Sequence, residues 1–128
     1  MDVIANFLNS IKTAGFVNKE SVIIPHSKLK LAIAEVLKNE GFIKTVKVEE
    51  DGAKKTLLVV LSYNGKTPKI KGVERKSRPS KRVYKSVSKI FPVKYGHGVA
   101  VLSTPKGILT DKEARKEMVG GELLFTIW

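Results

Sequence analysis

Three side chains in the last third of the sequence have the types that nucleophilic catalysis requires. Ser103 could attack a carbonyl or phosphoryl group, His97 could take its proton, and Asp111 could orient the imidazole. Ser103 does not lie in the G-x-S-x-G turn that exposes the nucleophilic serine of α/β-hydrolases. We therefore expect no catalytic residues and no enzyme, with an RNA-processing enzyme that uses His97 as the alternative.

The sequence offers few ligands for a metal ion or a nucleotide cofactor. It contains two histidines, His26 and His97, which are not spaced as the i, i+4 pair of zinc sites. Neither glycine-rich phosphate-binding pattern occurs, and GHG at residues 96–98 falls short of both. The absence of cysteine excludes disulfides and thiolate chemistry and is in keeping with a reducing compartment. We predict no metal and no cofactor.

The five residues STPKG, at positions 103–107, could instead form a binding loop. They follow an apolar run, and a turn through Pro105 and Gly107 would expose Lys106, two hydroxyls and backbone amides. Such groups can bind phosphate oxygens, ribose hydroxyls or base edges of RNA. The same residues are also common turn formers, so a purely structural turn is the alternative.

Three further residues have both a binding and a structural interpretation. Tyr84 lies among basic residues, where its ring could stack on an unpaired base or fill a gap in the core. Lys28 and Lys30 lie at the start of a predicted helix, where they could contact phosphates or simply face solvent.

The distribution of charge favours a polyanionic partner. The chain has 24 Lys and Arg against 12 Asp and Glu, a net charge of +12 on 14.1 kDa. Between Lys66 and Lys94 there are 11 basic residues and one acid, Glu74, so this basic segment carries most of the net charge. A positive surface concentrated in one region is typical of nucleic-acid-binding proteins.

Residues 1–63 are predicted to form an N-terminal α+β subdomain. Apolar spacing predicts a helix over residues 2–14, with Asp2 as N-cap and Gly15 in the left-handed C-terminal position. A strand, SVIIP, and a helix from Ser27 through Glu40 follow, the latter with Leu29, Ile33, Val36 and Leu37 on its apolar side. FIKTVKVEE and KTLLVVLSY then form a hairpin around DGAK. Two helices should therefore cover one face of a three-stranded sheet.

Residues 64–128 are predicted to form a β-rich C-terminal subdomain with one short helix and the STPKG loop. In the basic segment, Pro, Gly and Ser interrupt two or three short strand-like pieces, and GVAVLST forms a clear strand. TDKE, from Thr110 to Glu113, is a capping box that starts a helix through about Met118, and GGELLFTIW is the last strand. No signal-peptide pattern and no apolar run of about 18 residues occurs, so we expect a soluble, cytoplasmic protein without a membrane partner.

The last 31 residues, GVAVLSTPKGILTDKEARKEMVGGELLFTIW, resemble the signature of the bacterial small-ribosomal-subunit protein eight family. DVIANFLNSIKTA, IPHSKLKLAIAEVLKNEGFI and SRPSKRVYK extend the resemblance over the whole chain. It implies two α+β subdomains in a four-layer α/β/β/α arrangement and a primary contact with the central domain of small-subunit ribosomal RNA. It further implies a role in subunit assembly beside neighbouring ribosomal proteins. The alternative that it implies is a translational repressor of its own messenger RNA.

The resemblance also implies a set of RNA-binding residues. In this sequence they are Lys28, Lys30, Tyr84, Lys85, Ser103, Thr104, Lys106, Gly107 and Glu122, and we expect Pro105 of the same loop to be a binding residue as well. Glu122 is expected to be an acceptor that holds the loop or takes a base amino group. The sequence departs from the family at Pro105, where a second serine is usual, and at Ser80, where glycine usually completes the SRP turn.

Overall fold

Helices and antiparallel sheets make up the described chain. The computed structural model describes residues 3–128, and for Tyr95 the backbone alone. One compact unit is Val3–Ile70 and the other is Lys71–Trp128. The predicted α+β class is confirmed. The predicted boundary at residues 63 and 64 lies inside the first unit, and the domain division and the four-layer arrangement stay predictions.

The first unit contains two helices, a three-stranded sheet and a small hairpin. The elements are α1 (Val3–Phe16), β1 (Ser21–Pro25), α2 (Lys28–Asn39), β2 (Ile43–Asp51), β3 (Lys54–Leu61), β4 (Tyr63–Asn64) and β5 (Thr67–Pro68). The sheet has the order β1-β3-β2 with antiparallel pairing throughout, so the predicted hairpin is confirmed.

The core of the first unit lies between its helices and one face of its sheet. Burial alternates along β3, as expected when only one face of a strand is covered. Each large apolar side chain buried here contributes about 1.5–3 kcal/mol. Leu29 was expected on the apolar side of α2 but is 38% exposed, and the buried residues of this helix begin only at Ile33. The fully buried large side chains of this unit are Phe7, Ile11, Ile33, Leu37, Ile43, Leu57 and Val59.

The end of α1 differs from the prediction. The helix continues through Gly15 to Phe16, and Asn18, at φ 58°, takes the left-handed position. The Lys19 N–H donates to the Ala14 carbonyl at 2.9 Å, which closes the helix end. Asparagine tolerates this conformation, so glycine is not needed there. The predicted N-cap, Asp2, lies outside the described residues.

The predicted start of α2 is confirmed. The Ser27 hydroxyl accepts from the Lys30 N–H at 3.1 Å, and Gly41 follows the helix at φ 84°. None of the described helices is long and apolar enough to span a membrane.

The second unit contains five strands that share one sheet, and a short helix. The elements are β6 (Val73–Arg75), β7 (Tyr84–Lys85), β8 (Val99–Thr104), β9 (Gly107–Thr110), α3 (Asp111–Glu117) and β10 (Gly121–Ile127). The sheet has the order β6-β10-β8-β9, with the short strand β7 also paired to β10. The capping box at Thr110 and Glu113 is confirmed. The strand from Gly107 to Thr110 was not foreseen, because it is short and its residues had been assigned to a turn and a helix start.

Candidate nucleic-acid interface

The STPKG loop is the turn of the hairpin formed by β8 and β9. Ser103 pairs with Ile108 and Thr104 with Gly107, so Pro105 and Lys106 form the exposed tip. The proline ring restricts φ at the first tip residue. Gly107 has φ 111°, a conformation that L side chains rarely adopt. Pro105 and Gly107 therefore suit the backbone geometry of this tight hairpin end.

The hydroxyl of Thr104 is used inside this turn. Its Oγ1 donates to the Gly107 carbonyl at 2.8 Å and accepts from the Lys106 N–H at 3.1 Å. Such local bonds offset the loss of conformational freedom in the turn. Of the two loop hydroxyls, Thr104 thus fixes the loop geometry.

The hydroxyl of Ser103 differs, because it makes no hydrogen bond to the described part of the chain. Ser103 is half-buried, and the residue that pairs with it on β10 is Glu122. A hydroxyl can donate one hydrogen bond and accept others, so this group is available to a ligand.

An open groove runs beside Ser103, and it brings together residues from three parts of the sequence. Six of the ten predicted binding residues line it: Tyr84, Lys85, Ser103, Thr104, Pro105 and Glu122. The Tyr84 side chain is 69% exposed, which leaves the ring accessible for stacking. Ser86, Gly120 and Gly121 complete the lining and were not predicted as site residues.

Gly120 and Gly121 permit the close approach of three chain segments. A Cβ atom on Gly120 would overlap the Lys85 carbonyl oxygen, and one on Gly121 would overlap the Ser103 carbonyl oxygen. Any side chain at either position would force the groove walls apart. The two glycines at the start of the predicted strand GGELLFTIW are the sequence signal that could have indicated this close approach.

Glu122 accepts hydrogen bonds from the basic segment. Its Oε2 accepts from the Ser77 hydroxyl at 2.5 Å and from Arg82 Nη1 at 3.0 Å. Neither partner belongs to the STPKG loop, and sequence reasoning missed both. Burial acts to raise the pKa of the Glu122 carboxyl, but the Ser77 and Arg82 hydrogen bonds outweigh it and lower that pKa. The positive charge of Arg75 also lowers it.

The remaining predicted residues lie outside the groove lining. Lys106 is exposed at the hairpin tip, and its Nζ lies 3.2 Å from Glu117 Oε2 of α3. An exposed pair of this kind contributes about 0–1 kcal/mol, so Lys106 can readily exchange it for a phosphate. Lys28 and Lys30 belong to the first unit, in the first turn of α2, where Lys28 is exposed and Lys30 is half-buried.

The Ser80 departure has a simple structural outcome. Arg78 and Lys81 exchange two backbone hydrogen bonds of 2.9 and 3.0 Å around Pro79 and Ser80. Ser80 does not take a positive φ, so glycine is not required to complete this turn.

Asp111, which could orient His97 in a catalytic arrangement, is instead bonded to neighbouring groups of the fold. Asp111 is 1% exposed, and its carboxylate accepts from the Ala100 N–H at 3.1 Å and from Arg115 at 3.0 Å. It therefore anchors α3 to β8 and does not orient His97, which is exposed at the end of a short 3₁₀ turn. No group of three or more metal-ligating side chains occurs among the described residues.

Known proteins resemble the chain over nearly its full length. The family model described as "Ribosomal protein S8" matches residues 2–128. The "Small ribosomal subunit protein uS8" of Cupriavidus metallidurans is 49% identical over 123 residues, 96% of this chain and 94% of that protein. The proteins of the same name from Mycoplasmopsis pulmonis and Kosmotoga olearia are both 47% identical. These alignments cover 99% of this chain and 96% and 98% of the relatives.

Proposed function

Because the chain belongs to the ribosomal protein S8 family, we propose that it is a structural component of the small ribosomal subunit and a primary binder of its RNA. The target is the central domain of small-subunit ribosomal RNA, and binding there helps to assemble the subunit next to neighbouring ribosomal proteins in the cytoplasm. The observation that carries this proposal is the groove, because it gathers six candidate residues from β7, the STPKG loop and β10.

The groove has the chemistry to recognise RNA in a distorted or unpaired region. Tyr84 offers an exposed ring for stacking, and Ser103 offers a hydroxyl without a partner in the described chain. Regular A-form helices hide their base edges in a narrow major groove, whereas bulges and loops expose bases to such side chains. The expected ligand is therefore an irregular helix whose shape fits between the Tyr84 ring and the hairpin tip.

The basic segment supplies affinity that does not depend on sequence. Its lysines and arginines neutralise phosphates and release counterions, so binding should weaken as salt rises. Lys28 and Lys30 add a second contact, at the N-terminus of α2, where backbone N–H groups and the helix dipole favour phosphate. Selectivity then comes from the groove and overall strength from the charge.

The protein acts by binding and has no catalytic role in this proposal. The buried position of Asp111 and its bonds to Ala100 and Arg115 favour a structural role for that carboxylate. Turnover of labelled RNA that is abolished by His97→Ala would contradict this.

A second candidate function is repression of the protein's own messenger RNA. The supporting observation is that one groove holds most of the candidate contacts, so a messenger that presents the same RNA shape would occupy the same residues. Competition between the two RNAs for one site is the expected result, and simultaneous binding would exclude a shared site.

The test of the main proposal is a titration of the protein against a central-domain RNA fragment, with excess transfer RNA, across a salt series. Binding that survives the competitor at moderate salt supports specific recognition. As a control, Lys71→Ala should weaken both RNAs about equally and reduce the salt slope by about 1, because exposed Lys71 supplies charge outside the groove. If the affinity of the wild-type protein for both RNAs fell equally as salt rises, binding would depend on charge alone and the proposal would be overturned.

A further inference from the structure

A short basic loop, residues 78–82, leaves the sheet beside β10. The chain before it pairs with β10 as β6, and the chain after it pairs with β10 as β7. The Ser77 N–H donates to the Leu124 carbonyl at 3.3 Å, and the Leu123 N–H donates to the Val83 carbonyl at 2.8 Å. The loop therefore projects from a neck whose two sides, Ser77 and Val83, are tied to β10.

One buried hydroxyl closes this neck. Ser77 is 1% exposed, and its Oγ accepts from the Val83 N–H at 3.0 Å while it donates to Glu122 Oε2 at 2.5 Å. A buried polar group that loses its hydrogen-bond partner still pays the cost of leaving water. The Ser77 hydroxyl therefore links the backbone of Val83, the residue before Tyr84, to the Glu122 carboxylate.

The carboxylate of Glu122 joins the neck to the basic loop. The side chain is 13% exposed, and it accepts from Arg82 Nη1 at 3.0 Å in addition to Ser77. Arg75 Nε donates to the Ser77 carbonyl at 2.7 Å, which places a second guanidinium at the neck. An acid beside an RNA groove would repel phosphates, and here its charge is balanced by arginines.

We propose that Ser77, Arg82 and Glu122 form a positioning cluster that holds the Tyr84 ring at the groove and the basic loop beside it. Glu122 acts through Ser77 and Arg82, and it does not accept a hydrogen bond from RNA. The proposal rests on the proposed function, because it concerns how the same groove presents its contacts to RNA.

The first test compares two arginines of the same loop. Arg78→Ala and Arg82→Ala each remove one positive charge, but Arg82 contacts Glu122, whereas Arg78 has no ion pair within the described chain. Both variants should weaken transfer RNA binding alike. Only Arg82→Ala should also lower the preference for the central-domain fragment over transfer RNA. The expected decrease is about 10-fold or more, because a hydrogen bond to a charged group contributes a free energy of that size. Equal preferences in the two variants would overturn the cluster.

The second test separates positioning from direct contact by a double-mutant cycle between Ser77→Ala and Tyr84→Ala. If Ser77 acts by holding the Tyr84 ring, Ser77→Ala weakens fragment binding in the wild-type background and has little effect once the ring is absent. Additive losses would overturn the proposal. If Ser77→Ala does not fold, Glu122→Gln takes its place in the cycle, since it keeps the side-chain shape and removes the charge. Ser10→Ala, which removes one hydroxyl hydrogen bond to the Asn6 carbonyl within α1, is the matched control.

Different outcomes would overturn the proposed function and the positioning cluster. Wild-type protein without any preference for the fragment over transfer RNA would overturn the proposed function and the cluster together. A wild-type preference that every cluster variant retains would overturn the cluster alone.

Discussion

Gly121 of β10 lies against the carbonyl oxygen of Ser103 on β8, so closely that a methyl group on Gly121 would overlap it. Gly121→Ala should therefore separate these strands and lower the free energy of unfolding by about 1–3 kcal/mol, as overpacking does. It should also weaken binding of the central-domain fragment, because Ser103 lines the groove. Urea denaturation and RNA titration measure the two effects. Unchanged stability would mean that the strands do not meet at this distance.

Gly15→Ala should have the opposite effect on stability. Gly15 lies inside α1 at an ordinary φ, and its added Cβ would lie 3.4 Å from Pro68, an ordinary contact. Alanine is favoured over glycine in a helix by about 0.5–1 kcal/mol, so the variant should gain stability of that size. Thermal unfolding is the measurement. A loss of stability would indicate that the added methyl group does not fit against Pro68.

Ser103→Ala should weaken specific RNA binding by about 1–3 kcal/mol, because a partner group on the RNA would lose its hydrogen bond. The folded protein should be nearly unaffected, since the hydroxyl has no partner within the described residues. Thr104→Ala provides the contrast: it removes two bonds that hold the turn, so it should lower both stability and binding. Equal affinity of Ser103→Ala and wild type at one salt concentration would exclude Ser103 as a reader of RNA.

The carboxyl of Glu122 should make stability depend on acid pH. Its pKa in the folded protein lies below its ordinary value, so its contribution is complete above the unfolded-state pKa, about 4.3. The contribution is lost as the pH falls through the lower, folded-state pKa. The stability difference between wild type and Glu122→Gln should thus shrink as the pH falls below about 4, measured by urea denaturation at several pH values.

The Ser77→Ala background supplies the control for that pH series. Without the Ser77 hydrogen bond the pKa of Glu122 should be less depressed, so the same comparison should change less with pH. A stability difference that is constant from neutral to acid pH would contradict the depressed pKa.

The sequence by itself determined the family, the α+β class and most element boundaries. Local patterns suffice for the helices and strands, because apolar spacing, the Ser27 cap and the Thr110–Glu113 capping box involve residues that are close together in the sequence. Where a local rule failed, at the end of α1, two residues suited to a helix end competed, and Asn18 rather than Gly15 took the left-handed position. The concentration of charge in residues 66–94 was also visible without a structure.

Only the tertiary structure decided how the candidate residues come together. Strand pairing joins Glu122 to Tyr84 on one side and to Ser103 on the other, and no local pattern encodes such pairings between distant segments. The same holds for the bond between Ser77 and Glu122, which are 45 residues apart. Residue types could nominate Ser103 and Thr104 equally, but the hydrogen bonds of the folded turn engage Thr104 and leave Ser103 available. That distinction arises because hydrogen bonding depends on distance and direction, which a sequence does not contain.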